Sequence, residues 1–208
     1  MIFLSAFLLC LLVNLTPLTL SLLYADKRMY FSKSIILLFS IITSIGMVVF
    51  MYAGNLIVKL FVPLTGNIFG ALCLSLIGVY YIVEYIKIAN EAAGYDTSYY
   101  YESSFEYKNF LNSFSRVDEL NKTNIITISN CVKFSIEFLI NNTLIYISSG
   151  ITGVNIALCV FINFIISLLV LHAGHLYSKD NIIYFFSRHF YLIGGILLIT
   201  LGIFEAFL

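Results

Sequence analysis

Residues 125–147 read IITISNCVKFSIEFLINNTLIYI, and how this stretch sits decides the fold. It is apolar enough to enter a bilayer, yet Ser129, Lys133, Glu137 and Asn141 recur at every fourth position. At 3.6 residues per turn those four share one slowly drifting face of a helix. A charged side chain at the centre of a lone lipid-facing helix costs about 2.5–3.5 kcal/mol on insertion scales. Lys133 and Glu137 are therefore expected to face protein or water, and the helix to have partners. Two readings of the stripe stay open. Lys133 and Glu137, one turn apart, form a structural ion pair, or the stripe lines a solute or ion path.

Working outward, the 208 residues are 61% hydrophobic and 11% charged, with apolar runs longer than a soluble core helix requires. This is the composition of an all-α integral membrane protein. Six spans are expected at Ile2–Leu23, Ser34–Val58, Leu64–Ile88, Ile125–Ile147, Thr152–Tyr177 and Phe190–Leu208, each about the 20 residues that a ~30 Å hydrocarbon layer needs. The first lacks a basic flank and a small-residue cleavage site, so it reads as a mature helix rather than a signal peptide. Residues 1–88 and 125–208 then form two three-helix membrane units, joined by a Tyr-rich, acidic linker at 89–124. The linker is too short for a core of its own; it has room for short helices around Glu106–Phe114, and its acids suit a cation or a basic protein partner, or equally a solvated connector.

Lys and Arg are lopsided. Lys27, Arg28 and Lys33 follow span 1; Lys87, Lys108, Arg116 and Lys122 follow span 3; Lys179 and Arg188 follow span 5; only Lys59 falls on the other side. The positive-inside rule makes those loops cytoplasmic and puts both termini outside. Glu84 and Lys87 are expected to snorkel to headgroups. The expected surroundings are the lipid bilayer and a small cation, with no nucleic acid.

Polar features inside the spans are few. Pro17 removes a backbone donor and clashes with the carbonyl four residues earlier, so span 1 should kink or unwind over Asn14–Thr16. Broken spans expose carbonyls at transporter sites, though a kink also simply shapes packing. Gly66 and Gly70 allow close helix approach. Asn155, Cys159, Asn163 and Ser167 form a second polar face on span 5, read as interhelical glue that could meet the span 4 stripe. Cys10, Cys73, Cys131 and Cys159 lie inside spans without motif spacing and read as packing residues. His172, His175 and His189 gather near the cytoplasmic ends of spans 5 and 6, but no third ligand has metal-motif spacing, so no metal site and no cofactor are assigned. No nucleophile and base pair, metalloprotease motif or phosphate loop is present, and the chain does not read as an enzyme.

The two halves also echo one another. Ala53-Gly54-Asn55-Leu56 corresponds to Ala173-Gly174-His175-Leu176, and Gly70 with Gly78 corresponds to Gly194 with Gly202 at the same spacing. Three spans per unit, an odd number, force the second copy to cross in the opposite sense, an inverted repeat of the kind found in secondary transporters. The closing helices GALCLSLIG and GILLITLGIFEAF, the Ala-Gly near the ends of spans 2 and 5, and ELNKTNIITIS entering span 4 resemble the sporulation membrane protein YtaF family. That family is similar to the manganese efflux pump MntP, within the LysE-type transporters.

The resemblance implies a cation-transporter-derived protein in the cell membrane of a spore-forming bacterium. It also implies an acidic motif in the first helix of each unit, but Thr16 and Asn141 stand where its aspartates would be. Its calcium-loop-like linker run is likewise replaced by Glu119, Asn121, Lys122, Thr123 and Asn124. Neutral Thr and Asn are weaker ligands for hard divalent ions than carboxylates, so transport is expected to be lost or altered. If it is retained, the polar lining is Asn14, Thr16, Lys133, Glu137, Asn141 and Asn142, with Glu137 replacing the missing carboxylate. The remaining alternative is a membrane scaffold that binds a partner through the linker.

Overall fold

The computed structural model describes residues 2–26, 31–59, 63–92, 126–176 and 180–207, and all regular structure in them is helical. In chain order the helices are α1 (Ile2–Val13), α2 (Leu15–Asp26), α3 (Lys33–Val58), α4 (Pro63–Ala92), α5 (Ile128–Ile151), α6 (Ile156–Leu176) and α7 (Asp180–Ala206). Five segments are long and apolar enough to cross a membrane: α1 and α2 taken together, α3, α4, α6 and α7. The chain is a multi-pass, all-α membrane protein.

Local sequence explains the boundaries. Ser32 caps α3 by accepting from the Ile35 N–H, and Thr127 caps α5 by accepting from the Asn130 N–H. That cap moves the start of α5 three residues past the expected Ile125, and the helix runs on to Ile151 rather than Ile147. Its end is the Thr152-Gly153 turn, where Gly153 takes φ 81°, a left-handed conformation that favours glycine. The final helix starts ten residues before the expected Phe190, and α4 runs through Ala92, beyond the expected linker start at Ala89. The rest of the linker, including Glu106–Phe114, lies outside the described residues.

Span 1 breaks more narrowly than expected. Only Asn14 leaves the helix, and the backbone ladder passes through it, from Asn14 N–H to Cys10 O and from Leu18 N–H to Asn14 O. Thr16 and Pro17 are already helical.

Packing is pairwise and directional. Helix α5 lies parallel to α3 along its whole length: Cys131 meets Ile35, Phe134 and Phe138 stack near Phe39, Tyr146 faces Phe50, and Gly54 lies against Ile147. Helices α1 and α2 lie parallel to α6 through Cys10–Cys159, Asn14–Asn163 and Ser21–Leu171. Helices α4 and α7 are antiparallel and very close, through Tyr81–Tyr191, Gly78–Gly195 and Ala71–Gly202. Helix α3 also packs on α6, α4 on α5, and α1 and α2 on α7. Following these pairs, the order around the bundle is α1/α2, α7, α4, α5, α3, α6 and back to α1/α2. One apolar cluster fills the interior, built on Leu9, Phe39, Met47, Met51, Phe138 and Ile145. Glu84 and Lys87, expected at the headgroups, are instead buried and partnered in the last turns of α4, where α4 packs closely on α7.

A buried polar centre between four helices

The interior is crossed by a layer of uncharged polar side chains. Asn14, freed at the helix break, donates from Nδ2 to Cys10 O at 2.8 Å and to Asn163 Oδ1 at 2.8 Å. Asn163 in turn donates from Nδ2 to Ser44 Oγ at 3.3 Å. The chain of bonds thus joins α1, α6 and α3. Across the interior, α5 contributes Asn142, whose Nδ2 donates back one turn to Phe138 O at 2.9 Å. It also contributes Tyr146, whose ring stacks on Phe50. Ser40 and Thr43 of α3 turn their hydroxyls back to Ile36 O and Phe39 O.

Three groups in or next to this layer are unsatisfied. The Asn14 Oδ1 and the Tyr146 hydroxyl are buried without a hydrogen-bond partner among the described residues, and so is the Ser167 hydroxyl one turn beyond Asn163. An unpaired buried polar group costs about 1–3 kcal/mol, so native interiors hold few of them. The polar side chains of this layer are amides and hydroxyls, with no carboxylate among those bonded there. Such a lining suits a weakly held cation or a polar solute rather than a tightly chelated hard divalent ion.

No family model, no curated protein and no solved structure matches the chain. The arrangement must be read from its own geometry.

The expected path residues divide. Asn14 and Asn142 reach the interior, each bonding back to the carbonyl one turn earlier. Thr16 and Asn141 are only half-buried. Of the two neighbouring asparagines, Asn142 is the one turned inward, not Asn141. Ser129 and Lys133 are exposed and Glu137 is half-buried at the bundle's edge. The face of α5 turned inward carries Phe134, Ser135, Phe138, Asn142 and Ile145 instead. The expected polar face of α6 is turned inward at Cys159, Asn163 and Ser167, while Asn155 is exposed and bonds the Leu158 N–H at the helix start.

Towards the end of α6, His172 is exposed, and the His189 ring of α7 lies 6.0 Å from Tyr85; the His175 side chain lies outside the described residues. Among the described residues no three His, Cys, Asp or Glu side chains gather as a metal site. Asn163, Ser44 and Tyr146 were not among the expected path residues. The four-residue spacing of α6 was the one signal for Asn163, and Tyr146 had none.

Proposed function

We propose that this protein is a six-span membrane protein of two inverted three-helix units, on the plan of a secondary transporter, which takes a small cation or polar solute at the Asn14–Asn163–Tyr146 centre. The observation that carries the reading is that Asn14 Oδ1 and the Tyr146 hydroxyl are both buried in the bundle interior without a hydrogen-bond partner among the described residues. A site at the meeting of repeats near mid-membrane, beside a broken helix, is where such transporters bind.

Helix packing supports the repeat. Exchanging the first unit (α1/α2, α3, α4) for the second (α5, α6, α7) turns the parallel α1/α2–α6 pair into the parallel α5–α3 pair. It turns α1/α2–α7 into α5–α4, and maps α4–α7 onto itself. The register follows: Gly78 lies against Gly195 and Ile199, and Gly202 against Ala71 and Ser75, so each glycine meets the residues seven and three before its counterpart. Helix α5 matches α3 in length and direction, which supports it as the sixth span despite its polar residues. Alternation of six spans requires α1 parallel to α6, α3 parallel to α5 and α4 opposed to α7, the directions described above. The basic loops support both termini outside in a cell membrane. The YtaF-like and sporulation assignment rests on the motifs quoted from the sequence.

The test is multi-element uptake into sealed vesicles containing the protein, across manganese, other divalent metals and monovalent cations. Wild type should move an ion above protein-free vesicles, and Asn163→Leu, which breaks the bond chain between α1 and α3, should abolish the movement while Glu137→Ala retains it. Absence of uptake for every ion sinks the reading. A membrane scaffold is the second reading. It is favoured by the bonds running Asn14 to Asn163 to Ser44, which are ordinary interhelical glue, and it predicts no uptake with the fold intact.

A further inference from the structure

The last turn of α7 is the reverse of a helix end in water. Ile203, Ala206 and Phe207 are exposed, while Glu205 is only 6% exposed and turns its carboxyl into the bundle. Its Oε1 is buried without a hydrogen-bond partner among the described residues. Register places this group. Gly202 lies against Ala71 and Ser75, so Glu205 is level with the early turns of α4. On the other side, Leu15 packs with Phe190 and Tyr191. Ten residues back from Leu15 is Ser5, and fourteen on from Tyr191 is Glu205; in opposed helices these steps of about 15 and 21 Å lead to the same end of the α1–α7 contact. Ser5 is 2% exposed, and its hydroxyl is likewise without a partner among the described residues.

The helices packed on α7 bring no cation to that end. Helix α1 carries one titratable side chain, Cys10; α4 carries Cys73, Tyr80 and Tyr81 before Glu84; α2 carries Tyr24 and Asp26 in its last turn; α7 itself carries none between Tyr191 and Glu205. Glu84 and Lys87 begin thirteen residues past Ala71, about 20 Å along α4. Depth follows from the α4–α7 crossing. Gly78 lies against Gly195 and Gly202 against Ala71, which centres the crossing on Leu74 and Leu198, both fully buried. On the inverted-repeat reading that crossing lies at mid-membrane. Glu205, seven residues beyond Leu198, is then about 10 Å from it, inside the half-thickness of a ~30 Å hydrocarbon layer. An ionised carboxylate buried there without a counter-charge is costly, whereas the protonated acid leaves only one oxygen unpaired.

We propose that Glu205 is a proton-binding site, a neutral carboxylic acid in the closed bundle that exchanges its proton with the outer side when α1 and α7 part. This rests on the transport reading and the orientation proposed above, and it names the coupling ion. In the exchange the carboxyl O–H bond breaks, its electron pair stays on the carboxylate oxygen, and the proton passes to water entering the seam. Closing the seam requires the reverse, because burial tolerates the neutral form. A hard divalent metal does not fit the place: calcium and magnesium take six or more oxygens, and one carboxyl with one hydroxyl falls far short. Carboxyls turned into a membrane bundle are the groups that serve as proton relays.

The test labels the unaltered full-length protein in detergent micelles at neutral pH with dicyclohexylcarbodiimide, an apolar reagent that adds to protonated carboxyls, and reads the modified residue by peptide mass spectrometry. A water-soluble carbodiimide is the comparison. Glu205 should be modified by the apolar reagent and spared by the water-soluble one. In vesicles holding a trapped pH dye, ion uptake by wild type should be accompanied by proton movement. Glu205→Gln, which keeps the shape of the protonated acid but releases no proton, should lose that movement. The proposal is overturned if Glu205 stays unmodified, if both reagents modify it alike, or if Glu205→Gln vesicles move protons as wild type does. Labelling needs neither a membrane nor a variant. A modified Glu205 with no ion uptake therefore keeps the proton-binding site and removes transport with its coupling, whereas Asn163-dependent uptake with Glu205 unmodified removes this site and keeps transport.

Discussion

Replacing Gly150 by alanine should loosen the longest parallel contact in the bundle. A Cβ at Gly150 would fall on the Met51 carbonyl oxygen, and one at Gly54 on the Ile147 carbonyl oxygen, where ordinary contact is 3.4–4 Å. Both obstacles are backbone, so no side chain can rotate aside. The helices must separate instead, and α3 and α5 also hold Phe39, Met47, Phe134, Phe138 and Tyr146 in one interior. Overpacking a well-filled core costs about 1–3 kcal/mol, and backbone-on-backbone crowding puts Gly150→Ala and Gly54→Ala near the upper end. Domain stabilities are about 5–15 kcal/mol, so the change is large.

The two methyl groups enter the same crossing, since the Gly54 Cβ would also lie 3.1 Å from Gly150 Cα. Once one has parted the helices, the second enters the gap. The double variant should therefore cost less than the sum, by about 0.5–3 kcal/mol as expected for residues in contact. The assay is unfolding in mixed micelles of rising SDS fraction, followed by size-exclusion and circular dichroism. Ile140→Ala, which trims an exposed side chain on the same helix, is the control and should shift stability by no more than about 0.5 kcal/mol. A Gly150→Ala protein that unfolds at the wild-type SDS fraction, or a double variant costing the full sum, refutes the close-contact reasoning.

Three further outcomes are expected in the same assay. Gly153→Ala should lose about 1–2 kcal/mol from left-handed backbone strain alone, because no atom lies within 4 Å of its Cβ position; Gly153→Asn should lose clearly less, and equal losses would point to crowding. A double-mutant cycle of Asn14→Ala with Asn163→Ala should show a coupling of about 0.6 kcal/mol, with about 1.7 as the upper range for membrane hydrogen bonds; zero coupling would mean the 2.8 Å bond contributes nothing. A cycle of Lys133→Ala with Glu137→Ala should be additive within about 0.5 kcal/mol, since no ion pair joins the two among the described residues. Coupling above that would restore the ion-pair reading.

The helical class and its apolar spans were legible because a bilayer demands long apolar runs and few charges, a constraint visible in one dimension. So was the break at Asn14, because Pro17 acts on the carbonyl one turn back whatever surrounds it. Helix ends were less legible. The Thr127 cap was passed over because Ile125 and Ile126 look as apolar as the helix that follows. The early start of α7 at Asp180 was hidden because its first turns carry polar residues that the span pattern excludes.

The orientation of α5 failed for a more instructive reason. In a soluble protein the polar face of a helix marks the outside, and in a membrane bundle it is expected to mark the inside. Helix α5 has two polar faces: Ser129, Lys133, Glu137 and Asn141 on one, Ser135, Asn142 and Ser149 on the other. Polarity alone cannot choose between them. Packing chooses, because Phe134 and Phe138 lie on the second face and complete the stack on Phe39, and because Gly150 on that side is the position where α3 comes closest. The centre then assembles from residues that are unremarkable singly: an asparagine released by a proline, its counterpart on a parallel helix, and a tyrosine whose ring is placed by Phe50. What makes them a site is register between distant segments. Register is written in the side chains that touch across the bundle, not in the spacing along any one helix.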